Sequence, residues 1–216
     1  MIKGVIFDFN GTLFWDTELH NQTWDRYLAK YRIFLSDEEK HLRLHGKNNR
    51  QIVLDVFGQD VPENEIVRIS TEKELMYQDL VREMKLTLAK GAVDLLEFLI
   101  AKQISVSIVT ASDKLNVDFF IDYVNLLQWF PPDHIIFNDG SMKGKPDPEM
   151  LLKAMDIMGC KAKETIIFED SENGITAAHR AQPARLIIVD SANHDYSKWD
   201  YPVIRSFSEA DQIMFP

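Results

Sequence analysis

The chain has 216 residues, 45% of them hydrophobic, enough for one large domain or a core with a smaller companion, which excludes a disordered chain. Thirty-four acidic against 24 basic residues give a formal charge of −10, which argues against nucleic acid or anionic lipid as the main partner; an anionic substrate would need cations gathered locally. The longest uncharged runs, residues 103–112 and 123–132, are far shorter than the roughly 18 to 20 apolar residues that span a bilayer, so no membrane partner is expected. The opening residues lack a secretory pattern and Cys160 is the single cysteine, so the expected location is the cytoplasm.

No repeat, low-complexity tract or long linker divides the chain, and its organisation follows from changes of pattern. Val5-Ile6-Phe7 reads as a first buried strand. From Thr17 to about Met84 helix signals follow one another and no strand is evident. Trp24, Tyr27, Leu28 and Tyr31 have the spacing of one helical face, Ser36 to Glu39 is a capping box, and a helix over 48–57 stops at Gly58. A helix over 92–102 is expected to bury Val93, Leu96 and Leu99 or Ile100. The strand of residues 104–109 follows, then Ile135-Ile136-Phe137. Asp147 before Pro148 predicts a capped helix over 148–158 with Leu151, Leu152, Met155 and Met158 inward. Strands over 165–168 and 186–189 complete the pattern. This alternation predicts a parallel α/β sheet covered on both faces, with a helical insertion after the first strand that sits over the strand ends.

Each apolar run is followed by polar residues: Asp8, Thr110, Asn138-Asp139, Glu169-Asp170 and Asp190. In an open parallel sheet the carboxyl ends of the strands share one edge, where ligands bind, so these residues converge. Asp139 and Asp190 have only their position to recommend them and are read as local caps. Asp8 and Glu169-Asp170 belong to a larger set: Asp8-Phe9-Asn10-Gly11-Thr12-Leu13, Thr110-Ala111-Ser112, Lys145-Pro146-Asp147-Pro148 and Glu169-Asp170-Ser171-Glu172-Asn173-Gly174.

With these four motifs in this order, the chain resembles the haloacid dehalogenase-like hydrolase superfamily, in its phosphatase and β-phosphoglucomutase-like branch. The resemblance covers nearly the whole chain. It implies a Rossmann-like parallel core from residues 1–15 and 85–216 and an all-helical cap from residues 16–84. It also implies a Mg²⁺-dependent phosphohydrolase of small phosphorylated metabolites, sugar phosphates among them. The residue types suit that chemistry. A carboxylate nucleophile, Asp8, can take a phosphoryl group and release it later. Mg²⁺ suits Asp8, the backbone carbonyl of Asn10 and Asp170, with Glu169 nearby. Lys145 adds positive charge, and Thr110, Ala111 and Ser112 can hold phosphoryl oxygens at a helix start.

In the inserted segment His20, Lys47 and Arg50 are the candidates for selecting the rest of the substrate, Lys47 and Arg50 because a loop entering a helix would present both cations to the crevice. His20 lies near the hinge where related proteins place a substrate-contacting histidine, although the spacing before it departs from the family's. Ser171 and Gly174 are read as cap and close-packing residues; Cys160, His179 and the Trp199-Asp200-Tyr201 stretch are read as structural.

The departure that matters is Asn10, where most members of this branch carry the aspartate that protonates the leaving group and activates water. An amide does neither at neutral pH, and losing one general acid or base typically costs about 10²- to 10⁴-fold. Two alternatives therefore stay open beside the phosphatase: a hexose phosphate mutase of the β-phosphoglucomutase type, and a catalytically weak phosphate-binding or regulatory protein. A dehalogenase needs no metal, so Glu169-Asp170 argues against it. A phosphonate hydrolase would ask a cap lysine such as Lys47 for Schiff-base chemistry, and its neighbours match poorly.

Overall fold

The structure, a computed structural model, describes residues 1–210 and Met214, the side chain of His41 excepted. Strand β1 (Gly4–Phe7) lies at the centre of a six-stranded sheet with β2 (Ser105–Val109), β3 (Ile135–Ile136), β4 (Thr165–Glu169), β5 (Arg185–Val189) and β6 (Val203–Ile204). Their order is β3-β2-β1-β4-β5-β6, and every neighbouring pair is parallel. Phe7 stands opposite both Ile108 and Phe168. Continued by one step, that register sets Asp8 level with Val109 and Glu169, just short of Thr110 and Asp170.

Successive strand residues point to opposite faces, and both faces are buried, which is why the strands read as unbroken apolar runs. Val5, Phe7, Ile108 and Phe168 pack with Leu95, Leu96, Leu99 and Phe120 on one side. These come from α5 (Ala92–Ala101) and α6 (Lys114–Tyr123). Ile6, Val109 and Ile167 pack on the other with Met150, Leu151, Met155, Ile175 and Ala178, from α7 (Glu149–Ile157) and α8 (Glu172–Ala181). The rings of Phe7 and Phe168 stack at 5.1 Å across β1 and β4.

Between β1 and α5 run α1 (Thr17–Ala29), α2 (Asp37–Arg43), α3 (Asn49–Phe57) and α4 (Glu63–Met84). They enclose a separate cluster that includes Trp24, Tyr27, Leu28, Ile52, Val53, Ile66 and Ile69. Ser36 with Glu39, and Asn48 with Gln51, form reciprocal capping boxes that fix where α2 and α3 begin. Helix α4 joins the two layers: Ile66 and Ile69 face the helical cluster, whereas Tyr77 and Val81 pack with the sheet.

Several expectations need correcting. Helix α5 buries Ala92, Leu95, Leu96 and Leu99, while Val93 and Ile100 are exposed, because the sheet lies one step round the helix from the expected face. In α7 Leu152 is exposed, and Met150 and Ala154 join Leu151 and Met155 inside. That helix starts one residue late, with Pro148 in the cap position, while the Asp147 carboxylate accepts from the Glu149 amide at 3.1 Å. Tyr31 lies beyond the end of α1 and is exposed. Strand β6 is not among the expected strands, because Pro202 and Arg205 cut its apolar run to Val203-Ile204, whereas Phe137 extends that of β3. Among the described residues no helix is long and apolar enough to cross a membrane.

Candidate active site

The floor of the site is built at the ends of β1 and β4. Asp8 and Lys145 are both buried, and the Lys145 ammonium bridges the carboxylates of Asp8 and Glu169. The other Glu169 oxygen accepts from the amides of Asp170 (2.7 Å) and Ser171 (2.8 Å) at the start of α8. Ser171 also caps that helix through the Gly174 amide. A side chain at Gly174 would collide with the Glu169 carboxyl, so glycine is required there to seat the acid. Gly11 has φ +81° and its missing Cβ makes room for Asp170, whose Oδ1 accepts from the Thr12 hydroxyl at 3.0 Å.

One oxygen from each of Asp8, Glu169 and Asp170 can be found within 4.8 Å of the others. Burial drives the Asp8 carboxyl up, Lys145 draws it down and Glu169 pushes it up again, leaving it at about 7. Burial, then the charges of Glu169 and Asp8, raise Asp170 well above the ordinary aspartate value. Burial would lower Lys145, yet its two carboxylate partners hold it above the usual lysine value. Three ionised carboxylates against one ammonium would leave two negative charges in a buried space, the surplus that, on top of burial, holds Asp8 and Asp170 up and that a divalent, oxygen-seeking cation such as Mg²⁺ would offset.

The residues expected to hold phosphate also gather here. The Thr110 hydroxyl accepts from the Ser112 amide at 3.1 Å, and the Ser112 hydroxyl donates to Asn10 Oδ1 at 2.8 Å. Asn10 Nδ2 donates in the other direction, to Asp16 Oδ2 at 2.6 Å. Asp16 is fully buried, and its carboxylate also accepts from the Gly11 amide (3.0 Å) and the Tyr77 hydroxyl, with His20 Nε2 at 3.3 Å. Burial, then the charge of Asp16, raise the Tyr77 phenol well above its ordinary value. Asp16 was not among the sequence candidates.

The helical segment supplies the roof. His20 stacks on Tyr77 at 4.0 Å and takes a hydrogen bond on Nδ1 from Lys73 at 2.8 Å. Lys73 pairs with Glu74 at 2.9 Å, both buried, and Glu74 also accepts from Asn49 (2.8 Å) and Asn116 (2.7 Å). Lys47 lines the cavity but is tied to Asp55 at 2.6 Å. Arg50 does not reach the crevice: its side chain is 58% exposed and paired with Glu63 at 3.1 Å. The reason is helical phase. Asn48 caps α3, so Asn49 and Ile52 face the cavity, and Arg50, one residue on, turns outward. Lys73 and Glu74 were also missed. Lys73 occupies a position in the apolar stripe Ile66, Ile69, Tyr77, Val81 of α4, and a lysine in such a stripe is the signal that could have found it.

Asp139 and Asp190 serve local structure. Asp139 accepts from the Ser141 amide at 2.8 Å in a turn, and Asp190 pairs with Arg205 at 2.9 Å. His179 bonds the Tyr201 hydroxyl at 2.6 Å.

The haloacid dehalogenase-like hydrolase profile matches residues 5–188. Over 198 residues the chain is 29% identical to a phosphorylated carbohydrates phosphatase of Thermotoga maritima, spanning 89% of this chain and 88% of that one. It is 26% identical over 220 residues to the protein CbbY of Rhodobacter capsulatus, spanning 97% and 91%. Among solved structures, a HAD hydrolase of family IA, variant 3, from Entamoeba histolytica superposes with a TM-score of 0.86 at 34% identity, covering 96% of this chain and 95% of that one.

Proposed function

Because the chain belongs to the haloacid dehalogenase-like hydrolase family, we propose that it hydrolyses small phosphorylated metabolites, sugar phosphates among them, through a phosphoryl group carried on Asp8. The observation that supports this most is the buried cluster of Asp8, Lys145, Glu169 and Asp170 at the carboxyl edge of the parallel sheet. Residues 16–84 act in this reading as a cap that closes over the edge.

Asp8, Asp170 and the backbone carbonyl of Asn10, with Glu169 behind them, would hold Mg²⁺, which offsets the surplus negative charge and lets a phosphate dianion approach. Lys145, the Thr110 hydroxyl and the Ala111 amide bind phosphoryl oxygens and orient phosphorus toward Asp8. An Asp8 oxygen attacks phosphorus as the bond to the ester oxygen breaks. The departing oxygen takes its proton from water, because the Asn10 amide has no acidic proton to give. A second water then attacks phosphorus, its proton neutralises the hydroxide left by the first, the bond to Asp8 breaks, and phosphate leaves. With Asn10 fixed between Ser112 and Asp16, this second step has no carboxylate base next to it and is slow.

That same fixed amide favours a second reading, a protein that binds phosphate or holds it on Asp8 without useful turnover. A screen over sugar, nucleotide and acid phosphates with Mg²⁺, on wild type and Asp8→Asn, tests the first. Mg²⁺-dependent release lost in Asp8→Asn supports it. No release from any ester, and no phosphate on Asp8 after a reactive aryl phosphate, would overturn it in favour of binding.

A further inference from the structure

The two ends of the cavity differ in charge. At the floor, Lys145 and the implied cation meet the phosphate. At the roof both lysines are already matched to carboxylates. Among the described residues lining the cavity, Lys47, Lys73 and Lys145 are the only lysines or arginines. Lys73 is bound to Glu74 at 2.9 Å, with the two side chains 1% and 3% exposed, and Lys47 is bound to Asp55 at 2.6 Å. Lys73 spends a second N–H on His20 Nδ1, and its charge lies 5.3 Å from the ring centres of Trp24 and Tyr77. It is in no position to reach for an anion.

Glu74 is equally fixed. Asn49 from α3 and Asn116 from α6 donate to it at 2.8 and 2.7 Å, so three helices hold one carboxylate. Burial acts to raise the Glu74 carboxyl, yet Lys73, His20 and Asn116 hold it below the ordinary glutamate value, and it stays charged. Asp113 stands behind, 3.2 Å from the same Asn49 amide.

Resting on the phosphatase reading of the same site, we propose that the roof is a charge-balanced subsite that takes the neutral, hydroxyl-bearing remainder of a phosphomonoester and rejects a second phosphate or a carboxylate. A hydroxyl can donate to Glu74 Oε2, which takes the Asn116 amide, or to the amide oxygen of Asn49, while Trp24 and Ile52 offer an apolar face to ring carbons. A second dianion would meet Glu74 with no unmatched ammonium to receive it, and repulsion of that kind is how a site excludes a competitor. The subsite also separates the two enzyme readings. A mutase must hold a sugar bisphosphate with one phosphate at each end, whereas this roof suits a hydrolase of monophosphates.

The test compares kcat/KM at saturating Mg²⁺ for a hexose 6-phosphate, a hexose 1,6-bisphosphate and a carboxylated three-carbon phosphate, with p-nitrophenyl phosphate as reference. The hexose monophosphate should exceed the other two metabolite esters by about 10-fold or more. Glu74→Gln leaves Lys73 unmatched and should narrow that ratio through a lower KM for the bisphosphate. Asp55→Asn, on a more exposed pair where folding is not at stake, unties Lys47 and should narrow it too. A wild type that prefers the bisphosphate, or a ratio unmoved in both variants, would overturn the subsite while leaving the phosphatase standing. Aryl phosphate hydrolysed with no sugar ester turned over would also overturn it. Release from no ester at all removes the phosphatase reading, and the subsite falls with it.

Discussion

Replacing Asn10 by Asp does more than return a missing acid, because the amide nitrogen it removes donates to Asp16 at 2.6 Å. The new carboxylate would confront a second one at hydrogen-bond distance, with only His20 Nε2, 3.3 Å from Asp16 and 3.4 Å from the replaced nitrogen, beside them both. Two unit charges that close repel by about 6 kcal/mol at an effective dielectric of about 20. Taking up one proton is cheaper: at pH 7 it is about three pKa units above an ordinary aspartate, or about 4 kcal/mol. Asp16 keeps its donors from Gly11 and Tyr77, whereas a hydroxyl on the introduced acid can donate to Asp16 as the amide did, so the introduced acid is where the proton goes. We expect Asn10→Asp to lose up to about 4 kcal/mol of stability at pH 7. An acid whose folded pKa is raised is penalised only as pH climbs above its unfolded value, so the deficit should vanish near pH 4. Adding Asp16→Asn reverses donor and acceptor. The double variant should recover to within about 1 kcal/mol of wild type and turn over about 10²-fold faster, with a charged base in place. Denaturant melts from pH 4 to 8, with phosphate release from good and poor leaving groups, read both effects. Asn10→Asp as stable as wild type at pH 8, or a double variant no faster than wild type with Mg²⁺ bound, would refute the reasoning. Peptide mass spectrometry should accompany it, since an Asn-Gly pair can deamidate; the Gly11 amide that would attack is engaged with Phe14 and Asp16.

Chelation should abolish phosphate release and Mg²⁺ restore it, and Asp170→Asn should weaken the metal response at least about 10-fold; full activity in EDTA would contradict the acidic cluster as a metal site. Arg50→Ala breaks only an exposed pair, so stability should change by less than about 1 kcal/mol and kcat/KM for a sugar phosphate should not change; a selective rise in KM would return Arg50 to the site. The Glu74 carboxyl is depressed below its ordinary 4.5, so its contribution is present above that pH and lost below it. Thermal melts of wild type and Glu74→Gln should therefore differ most near neutrality and converge as pH falls below 4.5; a gap that widens on acidification would reverse the assignment.

What was legible in the sequence was whatever a strand carries to its own end. Asp8, Thr110, Glu169 and Asp170 each follow a buried apolar run, and parallel pairing delivers them to one edge without further information. Helical phase was harder. Val93, Leu96 and Ile100 share one face of α5, and Ala92, Leu95, Leu96 and Leu99 share another; only the position of the sheet decides between them. Arg50 failed for the same reason, since a shift of one residue after the Asn48 cap turns a side chain by about 100°. Glu74 could not have been found from its neighbours at all. Its partner Asn116 lies 42 residues away on a helix of the opposite layer.

Asn10 shows a different limit. Taken by itself it is an aspartate lost, and the inference stops at a rate penalty. The chain from Asp8 to Asp16 folds back on itself, with the Gly11 amide donating to Phe14 and the Phe14 amide to Phe9, so Asp16 returns beside the residue six before it. The site therefore still contains an amide and a carboxylate in contact. The carboxylate holds the amide, and its oxygens are taken by Asn10, Gly11 and Tyr77, with His20 Nε2 at 3.3 Å. A carboxylate so fully donated to is fixed in place, since turning it toward a water would break bonds that each contribute about 1 kcal/mol or more. Asp16 thus orients Asn10 and does not replace it. That is why Asp16→Asn alone should not speed hydrolysis, and why only the exchange of both residues should.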